Sequence, residues 1–350
     1  MSKIVIFSPT PSTFGGGYET FIAEFIGYSR GQGVDVSVAR PPTTTFLRVV
    51  SALGLRRRFF HLVREGGDPD YVRILRSAEY IYVKNELLDL LWLRLIVGRR
   101  KIVIGFHTRL DTGSRWRDML YRGPIYQWLM GRARLHFVTS PPSDRAFMSR
   151  EQAVIPNGVD FRGLQRQDSD SFRLLYAGRL SFEKGPDRLA NVVNVARPNW
   201  TITIAGDGPE SPTVEALAHH ERVFWLGRVS RSKMQSVYAS SDILLLPSRW
   251  EIVPFVLIEA IAAGLLPVAQ DIPELRNFLG MWPELLTDFD DCGRLRSTLD
   301  TIQNMASDSL SRLRKEVFLA FKAKYDSAIV YERLCEFIAS GESTKAPNPR

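Results

Sequence analysis

Cysteine is scarce in this sequence: Cys292 and Cys335 are the only two among 350 residues. Two cysteines cannot form a disulfide framework, and their positions match no metal-site spacing, which favours a reducing compartment. The apolar opening at 4–7 is short and is followed at once by Ser8-Pro9-Thr10-Pro11, unlike a secretory signal peptide. We therefore expect a cytoplasmic protein.

Long hydrophobic runs are also missing. The two most apolar stretches, 87–97 and 253–269, are interrupted by Asp89, Arg94 and Glu259. A membrane-spanning helix needs about 20 predominantly apolar residues, so we expect no integral membrane segment. The composition, with 45% hydrophobic and 24% charged residues, excludes collagen-like and disordered chains. At this length the chain fits two domains.

Several signatures of nucleotide and metal chemistry are absent. The chain has neither the G-x-G-x-x-G fingerprint of dinucleotide binding nor a G-x-x-x-x-G-K-[ST] phosphate loop. It also lacks a nucleic-acid reading motif, so we expect no nucleic acid partner. The acidic run at 288–291 precedes a helical pattern, which favours Asp290 or Asp291 as an N-cap rather than as a metal ligand. The histidines without metal-ligand spacing are His61, His136, His219 and His220.

Excess positive charge is confined to the first half of the chain. Residues 1–165 contain 24 Lys and Arg against 14 Asp and Glu, a net charge of +10, whereas residues 166–350 contain 22 against 24. This excess indicates either an anionic partner or ordinary solubilising surface. Within it, the segment 48–64 combines apolar residues at helical spacing with Arg56, Arg57 and Arg58. That pattern is typical of a helix on an anionic membrane, and equally of a packed helix with a solvated arginine face.

Short β-rich runs alternate with amphipathic stretches along the whole chain, which predicts an α/β fold with two doubly wound parallel sheets. The predicted strands are 3–7, 34–38, 79–83, 101–106, 135–139, 173–178, 200–206, 223–226, 243–247 and 266–269. We place an N-terminal domain at 1–162, a linker at 163–171, a C-terminal domain at 172–325, a closing helix at 326–340 and a flexible tail at 341–350. Ligands of such sheets bind at the carboxyl ends of strands, and we expect the site in the cleft between the domains.

Two segments that follow predicted strands suit an anionic ligand. Gly15, Gly16 and Gly17 precede a helix, where free backbone N–H groups can approach an anion, although a flexible loop explains them as well. Arg179 and Lys184 place two permanent cations beside a strand end. They suit a diphosphate that gains charge as it leaves, or they are solvated surface cations.

Glu251 and Glu259 are the most informative pair, because seven residues separate them around a predicted helix start. Pro254 fits the first position of that helix, which leaves Glu251 in the preceding loop and Glu259 about one turn inside. Glu259 lies within an apolar run, where an acid is costly unless it has a partner. A carboxylate accepts hydrogen bonds from hydroxyls such as those of a ribose or a hexose.

Taken in order, these motifs resemble those of the retaining nucleotide-sugar glycosyltransferases of family 4, which have the two-domain GT-B fold. The resemblance covers roughly residues 3 to 275. It rests on glycines 15–17, His107, Ile155-Pro156-Asn157-Gly158-Val159-Asp160, the segment 178–185, Gly206-Asp207-Gly208-Pro209 and the EX7E pair Glu251 and Glu259. It implies transfer of a sugar from a nucleoside-diphosphate sugar to an acceptor hydroxyl during glycolipid, lipopolysaccharide, capsule or other glycan assembly. The acceptor would be a sugar or a lipid-linked molecule, bound by the N-terminal domain, while the C-terminal domain would bind the nucleotide sugar. The helix at 326–340 would cross back to the N-terminal domain.

The resemblance also implies a role for each residue. Arg179 and Lys184 would bind the pyrophosphate and make a metal unnecessary, Glu259 would hold the ribose hydroxyls, and Glu251 would contact the transferred sugar. His107 would contact a donor-sugar hydroxyl or the developing charge, unless it is only a packed residue. The other implied substrate-binding positions are Gly15, Gly16, Gly17, Asn157, Gly206, Gly208, Arg228, Val229, Pro254, Phe255 and Val256, with Arg228 and Val229 lining the base pocket.

The chain departs from the family pattern in two places. A glycine often follows the first glutamate, where this chain has Ile252-Val253-Pro254, and Pro254 has no N–H to donate to the donor sugar. A Gly-Gly pair often follows the next strand, where this chain has Asp271-Ile272-Pro273-Glu274. Two alternatives therefore stay open: a nucleotide-sugar 2-epimerase with the same fold, and a catalytically inactive sugar-nucleotide-binding protein.

Overall fold

A computed structural model describes residues 3–8, 17–41, 70–97, 101–107, 123–139, 150–161, 171–251 and 253–340. The chain divides into two compact units: unit 1 comprises 1–158 and 327–350, and unit 2 comprises 159–326. Over the described residues, each unit contains one six-stranded sheet, and the paired strands in both sheets run parallel. The predicted α/β fold class with two parallel sheets is confirmed.

Helices separate most of the strands. In chain order they are α1 (Gly17–Gln32), α2 (Tyr71–Ser77), α3 (Leu87–Val97), α4 (Pro124–Met130), α5 (Leu189–Val195), α6 (Ser211–Leu217), α7 (Arg231–Ala239), α8 (Phe255–Ala262), α9 (Pro273–Leu279), α10 (Cys292–Gln303), α11 (Ser307–Tyr325) and α12 (Ser327–Ser340). Within the described ranges, none of these helices is both long enough and apolar enough to cross a membrane.

The sheet of unit 1 has the strand order β2-β1-β3-β4-β5-β6. Its strands are β1 (Lys3–Phe7), β2 (Asp35–Ala39), β3 (Tyr80–Lys84), β4 (Lys101–Phe106), β5 (Arg134–Phe137) and β6 (Gln152–Val154). The middle strands are almost entirely apolar because helices cover both faces of a parallel sheet. The sheet therefore leaves its polar side chains mainly at strand ends.

The last helix, α12, belongs to unit 1 and packs against α1. The Tyr331 ring lies 5.3 Å from that of Phe25, and the Tyr331 hydroxyl donates to the carbonyl of Gly158 at 3.1 Å. From β3, the Tyr80 hydroxyl donates to the carbonyl of Ala339 at 2.9 Å. These contacts attach the end of the described chain to the first sheet.

The sheet of unit 2 has the strand order β12-β11-β10-β7-β8-β9. Its strands are β7 (Phe172–Ala177), β8 (Trp200–Ala205), β9 (Val223–Trp225), β10 (Ile243–Leu246), β11 (Leu266–Gln270) and β12 (Leu286–Thr287). The strand order reverses between the neighbours β7 and β10, and a crevice forms at the carboxyl ends of strands at such a switch point. The loops after β7 and β10 are therefore the first place to look for a ligand site in unit 2.

The structure confirms the ten predicted strands, with ends displaced by at most two residues, and adds two that the sequence did not predict. These are β6 and β12, which are three and two residues long. Segments so short carry too little periodicity to indicate a strand. Asp291 is confirmed as an N-cap, because its side chain accepts from the N–H groups of Gly293 and Arg294.

Candidate functional site

An ion pair with a buried carboxylate and a partly exposed lysine occupies the switch point of unit 2. The ammonium of Lys184, after β7, lies 2.8 and 2.7 Å from the two carboxylate oxygens of Glu251, after β10. The Ser248 hydroxyl donates to Oε1 of the same carboxylate at 2.8 Å. Glu251 is only 3% exposed. A carboxylate so buried requires a cation and further donors, and Lys184 and Ser248 supply them.

The close approach of two loops creates this pair. A short 3-10 turn, Phe182–Lys184, ends at Gly185, which has a φ of +64°. A Cβ at Gly185 would overlap the carbonyl oxygen of Pro247, so only glycine lets the loop after β7 lie against the end of β10. The backbone N–H of Arg249 also donates to the carbonyl of Glu183 at 2.8 Å. Lys184 is thereby held beside Glu251.

Arg179 is exposed at the start of the same loop. Its charge and that of Lys184 both act on the carboxyl of Glu183. Burial alone would raise the pKa of Glu183, but a hydrogen bond from Ser181 and these two cations hold it below its usual value. The loop after β7 therefore presents two cations around the ionised carboxylate of Glu183. An incoming anion would compete with that carboxylate for the two cations.

Glu259 lies in the second turn of α8 and is half-buried. The Tyr238 hydroxyl, from α7, donates to its Oε2 at 3.1 Å. Burial and the charge of Glu259 raise the pKa of Tyr238 well above its ordinary value. The acid that the sequence places in an apolar helix thus has a partner in Tyr238.

Several predicted substrate-binding residues of unit 2 have a structural role that the sequence did not indicate. A Cβ at Gly206 would overlap the carbonyl oxygen of Gly178, and one at Gly208 would overlap that of Leu180. These glycines let the loops after β7 and β8 touch. Pro254 is the N-cap of α8 and not its first helical residue, a correction of one position. Its φ of −77° suits either position, so the sequence could not separate them.

The remaining predictions in unit 2 concern positions near these loops. Phe255 and Val256 form the first turn of α8 and pack partly against the core. Arg228 and Val229 follow the edge strand β9, whose Trp225 indole N–H donates to the carbonyl of Gly206 at 3.0 Å. The structure therefore connects the edge strand β9 to the glycine loop after β8.

His107 and Asn157 belong to unit 1, where His107 follows β4. His107 Nε2 lies 2.8 Å from the Tyr82 hydroxyl, which lies 2.6 Å from Nδ1 of His136. His136 Nε2 in turn lies 2.7 Å from the carbonyl oxygen of Ile155. Three side chains from neighbouring strands thus form one buried hydrogen-bonded chain.

Burial controls the protonation of both histidines. It lowers the pKa of His136 to about 4, against a smaller opposing effect of the bond to the Ile155 carbonyl. It also lowers the pKa of His107 well below the usual value, with further lowering by His136 and Lys84, while Asn157 raises it. Both imidazoles are therefore neutral at pH 7.

Sequence reasoning missed four residues of these sites: Ser248, Tyr238, Tyr82 and His136, the last considered only as a metal ligand. A usable signal existed for the last two, because Tyr82 lies on β3 and His136 on β5, and these strands flank β4, which His107 follows. Of the predicted residues, Gly17 begins α1, while Gly15, Gly16 and the basic segment 48–64 lie outside the described residues.

The part of the chain that the structure describes contains no group of three or more histidine, cysteine or acidic residues able to hold a metal.

Comparison with known proteins finds one family model that matches most of unit 2 and relatives that each match less than half of the chain. Residues 161–296 match the family model for glycosyl transferases group 1. A 41.2 kDa uncharacterized protein in the cps region of Klebsiella pneumoniae is 29% identical over 178 residues, 45% of this chain and 47% of that protein. The glycogen synthase of Mycobacterium tuberculosis is 33% identical over 125 residues, 33% of this chain and 30% of that protein. The aligned regions span less than half of these relatives.

Solved structures match over almost the whole chain. Anabaena HepE in complex with UDP and glucose superposes with a TM-score of 0.69 and 16% identity, covering 97% of this chain and 100% of that one. Sucrose-phosphate synthase from Thermosynechococcus elongatus superposes with a TM-score of 0.68, also at 16% identity, covering 96% and 98%. At this identity the likeness concerns the fold, and the fold is GT-B, as the sequence predicts.

The Lys184–Glu251 pair yields a stability prediction. Lys184→Met leaves a buried carboxylate without its cation, and we expect the free energy of unfolding to fall by about 3 kcal/mol. Glu251→Gln should cost about 1 kcal/mol, because it removes the charge and keeps an acceptor for Ser248. The double variant should then be more stable than the sum of the two losses implies. Urea unfolding measures the stability of all three variants, and simple additivity would show that the pair is not coupled.

Arg179→Met is the control, because it removes an exposed cation from the same loop. It should change the free energy of unfolding by less than about 0.5 kcal/mol.

The buried histidines yield a pH prediction. The unfolded chain protonates His136 near its usual pKa of 6.5, whereas the folded protein does so at about 4. The unfolded state thus binds more protons between these values, and stability falls as the pH drops from about 6.5 to 4, by about 3 kcal/mol for this residue. His136→Gln keeps a donor for the Ile155 carbonyl and does not titrate. It should lose this part of the pH slope in urea unfolding at pH 7, 6, 5 and 4; an unchanged slope would contradict the assignment.

Proposed function

We propose that this protein is a retaining glycosyltransferase that moves a sugar from a nucleoside-diphosphate sugar to an acceptor hydroxyl. The observation that carries the proposal is the Lys184–Glu251 pair at the switch point between β7 and β10, followed by Glu259 one turn inside α8. The family match over 161–296 supports it, since all these residues lie in that segment. A solved GT-B neighbour that contains UDP and glucose supports a nucleoside-diphosphate sugar as donor.

The cations of the loop after β7 would bind the pyrophosphate. Two of the three N–H groups of the Lys184 ammonium are directed at Glu251, so one N–H remains for a phosphate oxygen. Arg179 is exposed and can move to the same ligand. Negative charge on the pyrophosphate grows as the sugar leaves, so both cations stabilise the transition state more than the ground state. With these cations in place the proposed chemistry uses no metal.

Glu251 would position the transferred sugar and not attack it. Lys184 and Ser248 already bind its carboxylate oxygens, which lowers its suitability as a nucleophile. We therefore favour a same-face displacement: the bond from the anomeric carbon to the phosphate oxygen breaks, and the bond to the acceptor oxygen forms on the same face. The acceptor proton passes to the departing phosphate oxygen. The side chains contribute positioning and charge stabilisation.

The activity is tested by incubating the protein with a panel of UDP- and GDP-sugars, with and without candidate acceptors. A transferase releases nucleoside diphosphate in an acceptor-dependent reaction, and proton NMR of the product should show the anomeric configuration of the donor. Interconversion of the sugar nucleotide without an acceptor would identify a 2-epimerase. Binding of the nucleotide without any turnover across the panel would identify an inactive binding protein.

Glu259 should control nucleotide affinity. Glu259→Ala leaves the ribose without its acceptor, and we expect binding of UDP and GDP to fall below detection by calorimetry while thermal unfolding stays cooperative. Glu259→Gln should weaken binding by on the order of tenfold, because a charged acceptor is worth about 1.5–3 kcal/mol. Tyr238→Phe is the matched control, since it removes the partner and keeps the carboxylate, and should have a smaller effect. Unchanged affinity of Glu259→Ala would remove this residue from the site.

The acceptor would be a sugar or a lipid-linked acceptor in glycan assembly, and the matched Klebsiella protein of the cps region supports that setting.

We also propose peripheral contact with the anionic inner face of the cell membrane. The adjacent helices α3 and α4 carry large exposed apolar side chains: Leu91 (39%), Leu95 (72%), Ile125 (66%) and Trp128 (71%). Arg94 fixes one helix to the other by donating to the carbonyls of Leu129 and Met130, both at 2.8 Å. The net charge of +10 in residues 1–165 favours an anionic surface as the occupant.

The membrane contact predicts salt-sensitive co-sedimentation with phosphatidylglycerol vesicles. Replacing both Leu95 and Trp128 by Glu should lower the bound fraction by about tenfold. Each substitution removes one large apolar side chain that would be buried in the membrane surface. The matched control replaces Leu319 and Met281 by Glu, which are 51% and 78% exposed in unit 2. Absence of binding at low salt, or equal losses in both variants, would contradict the proposed surface.

A further inference from the structure

The hydrogen-bonded chain in unit 1 determines which atoms carry its protons. Tyr82 and His136 are both completely buried, so water cannot complete their hydrogen bonds. The carbonyl oxygen of Ile155 can only accept, so His136 Nε2, 2.7 Å away, must carry a hydrogen. His136 is neutral, which leaves a lone pair on Nδ1. The hydroxyl of Tyr82, 2.6 Å from that nitrogen, must therefore donate to it.

The same logic then fixes His107. The Tyr82 hydroxyl has one hydrogen, and that hydrogen is directed at His136, so only the lone pairs of its oxygen face His107. His107 Nε2, 2.8 Å from this oxygen, must therefore be the N–H donor. In a neutral imidazole the other nitrogen is then an acceptor, so the lone pair of His107 lies on Nδ1.

The groups around His107 favour its neutral form. Rings of Tyr18 and Phe21, from α1, lie 4.9 and 4.6 Å from the imidazole. The ammonium of Lys84, at the end of β3, lowers its pKa further, whereas Asn157 raises it. Nδ1 of His107 and Oδ1 of Asn157 are both buried, and no described residue donates a well-formed hydrogen bond to either atom.

A glycine maintains the path of the chain. Gly105 lies on β4 between β3, which carries Tyr82, and β5, on which His136 is its paired residue. A Cβ at Gly105 would overlap the Tyr82 hydroxyl and come within 2.9 Å of His107 Nε2. The missing side chain leaves the space through which the hydroxyl reaches both histidines.

We infer that Tyr82 and His136 are positioning residues that hold His107 with its hydrogen on Nε2 and its acceptor lone pair on Nδ1, ready to accept a hydrogen bond from a substrate hydroxyl. The inference rests on the proposed function for the identity of that substrate, a nucleoside-diphosphate sugar. It distinguishes between two roles of His107. A lone pair attracts the hydrogen of a hydroxyl and repels a phosphate oxygen or any developing negative charge.

The tautomer is measurable without substrate. Long-range nitrogen–proton NMR correlations of the ligand-free protein, with histidine ¹⁵N-labelled, separate a protonated ring nitrogen from one with a lone pair. His107→Gln assigns the signal among the five histidines. We expect Nε2–H and an unprotonated Nδ1 at pH 7 in the native protein. A hydrogen on Nδ1 would overturn the inference, whether or not the protein proves to be a transferase.

Tyr82→Phe removes only the bridging hydroxyl and should release His107 into a mixture of tautomers. Tyr80→Phe is the matched control: it lies on the same strand and removes a hydroxyl that bonds to Ala339, away from the histidines. The control should keep the native tautomer. If Tyr82→Phe does not fold, Gly105→Ala displaces the same hydroxyl sterically and should have the same effect. An unchanged His107 spectrum in a folded variant of either kind would show that Tyr82 does not set the tautomer.

Kinetics then test what the lone pair does. A hydroxyl keeps the same hydrogen bond in the ground and transition states, so Tyr82→Phe should raise KM for the donor by roughly two- to tenfold and leave kcat nearly unchanged. If His107 acted on developing charge, kcat would fall instead, and the hydroxyl-acceptor role would be wrong. An inactive native protein would defeat the proposed function alone, because the tautomer measurement would still stand.

Discussion

A buried carboxylate is the constraint around which the candidate site of unit 2 is organised. Glu251 is 3% exposed and would be strongly unfavourable without a cation. Lys184 reaches it because β7 and β10 are neighbours in the sheet although 67 residues separate the two side chains. The close approach of the loop after β7 to the end of β10 depends in turn on Gly185, where any side chain would overlap the carbonyl of Pro247. Strand order, one glycine and one ion pair thus determine the shape of the proposed phosphate-binding edge.

Most of the fold could be predicted because strand–helix alternation is a local property of the sequence. The apolar runs of β4 and β10 are short, continuous and bounded by polar or turn residues, as in fully buried parallel strands. The exceptions are β6 and β12, whose two or three residues become strands only by pairing with β5 and β11. Strand pairing of this kind depends on tertiary contacts, and no local pattern encodes it.

The site was predictable in its charged members and not in their partners. Glu259 stands out because a charge inside an apolar helix is unusual, and Lys184 and Glu251 stand out because they follow predicted strands. Tyr238 and Tyr82 do not, since a tyrosine in a helix or a strand fits an ordinary core position. Their roles appear only when distant residues meet: Tyr238 is 21 residues from Glu259, and Tyr82 is 54 residues from His136. Likewise, the glycines Gly206 and Gly208, predicted as substrate contacts, allow two loops to touch.

The central claim is that the carboxyl ends of β7 and β10 bind the diphosphate of a sugar nucleotide. A crystal structure of the protein with UDP, and one with GDP, would test it most directly. The account predicts a diphosphate oxygen within hydrogen-bond distance of Lys184 Nζ, the guanidinium of Arg179 turned toward the phosphates, and the ribose hydroxyls on Glu259. A nucleotide bound elsewhere, with the Lys184–Glu251 pair untouched and no ribose hydroxyl on Glu259, would contradict it.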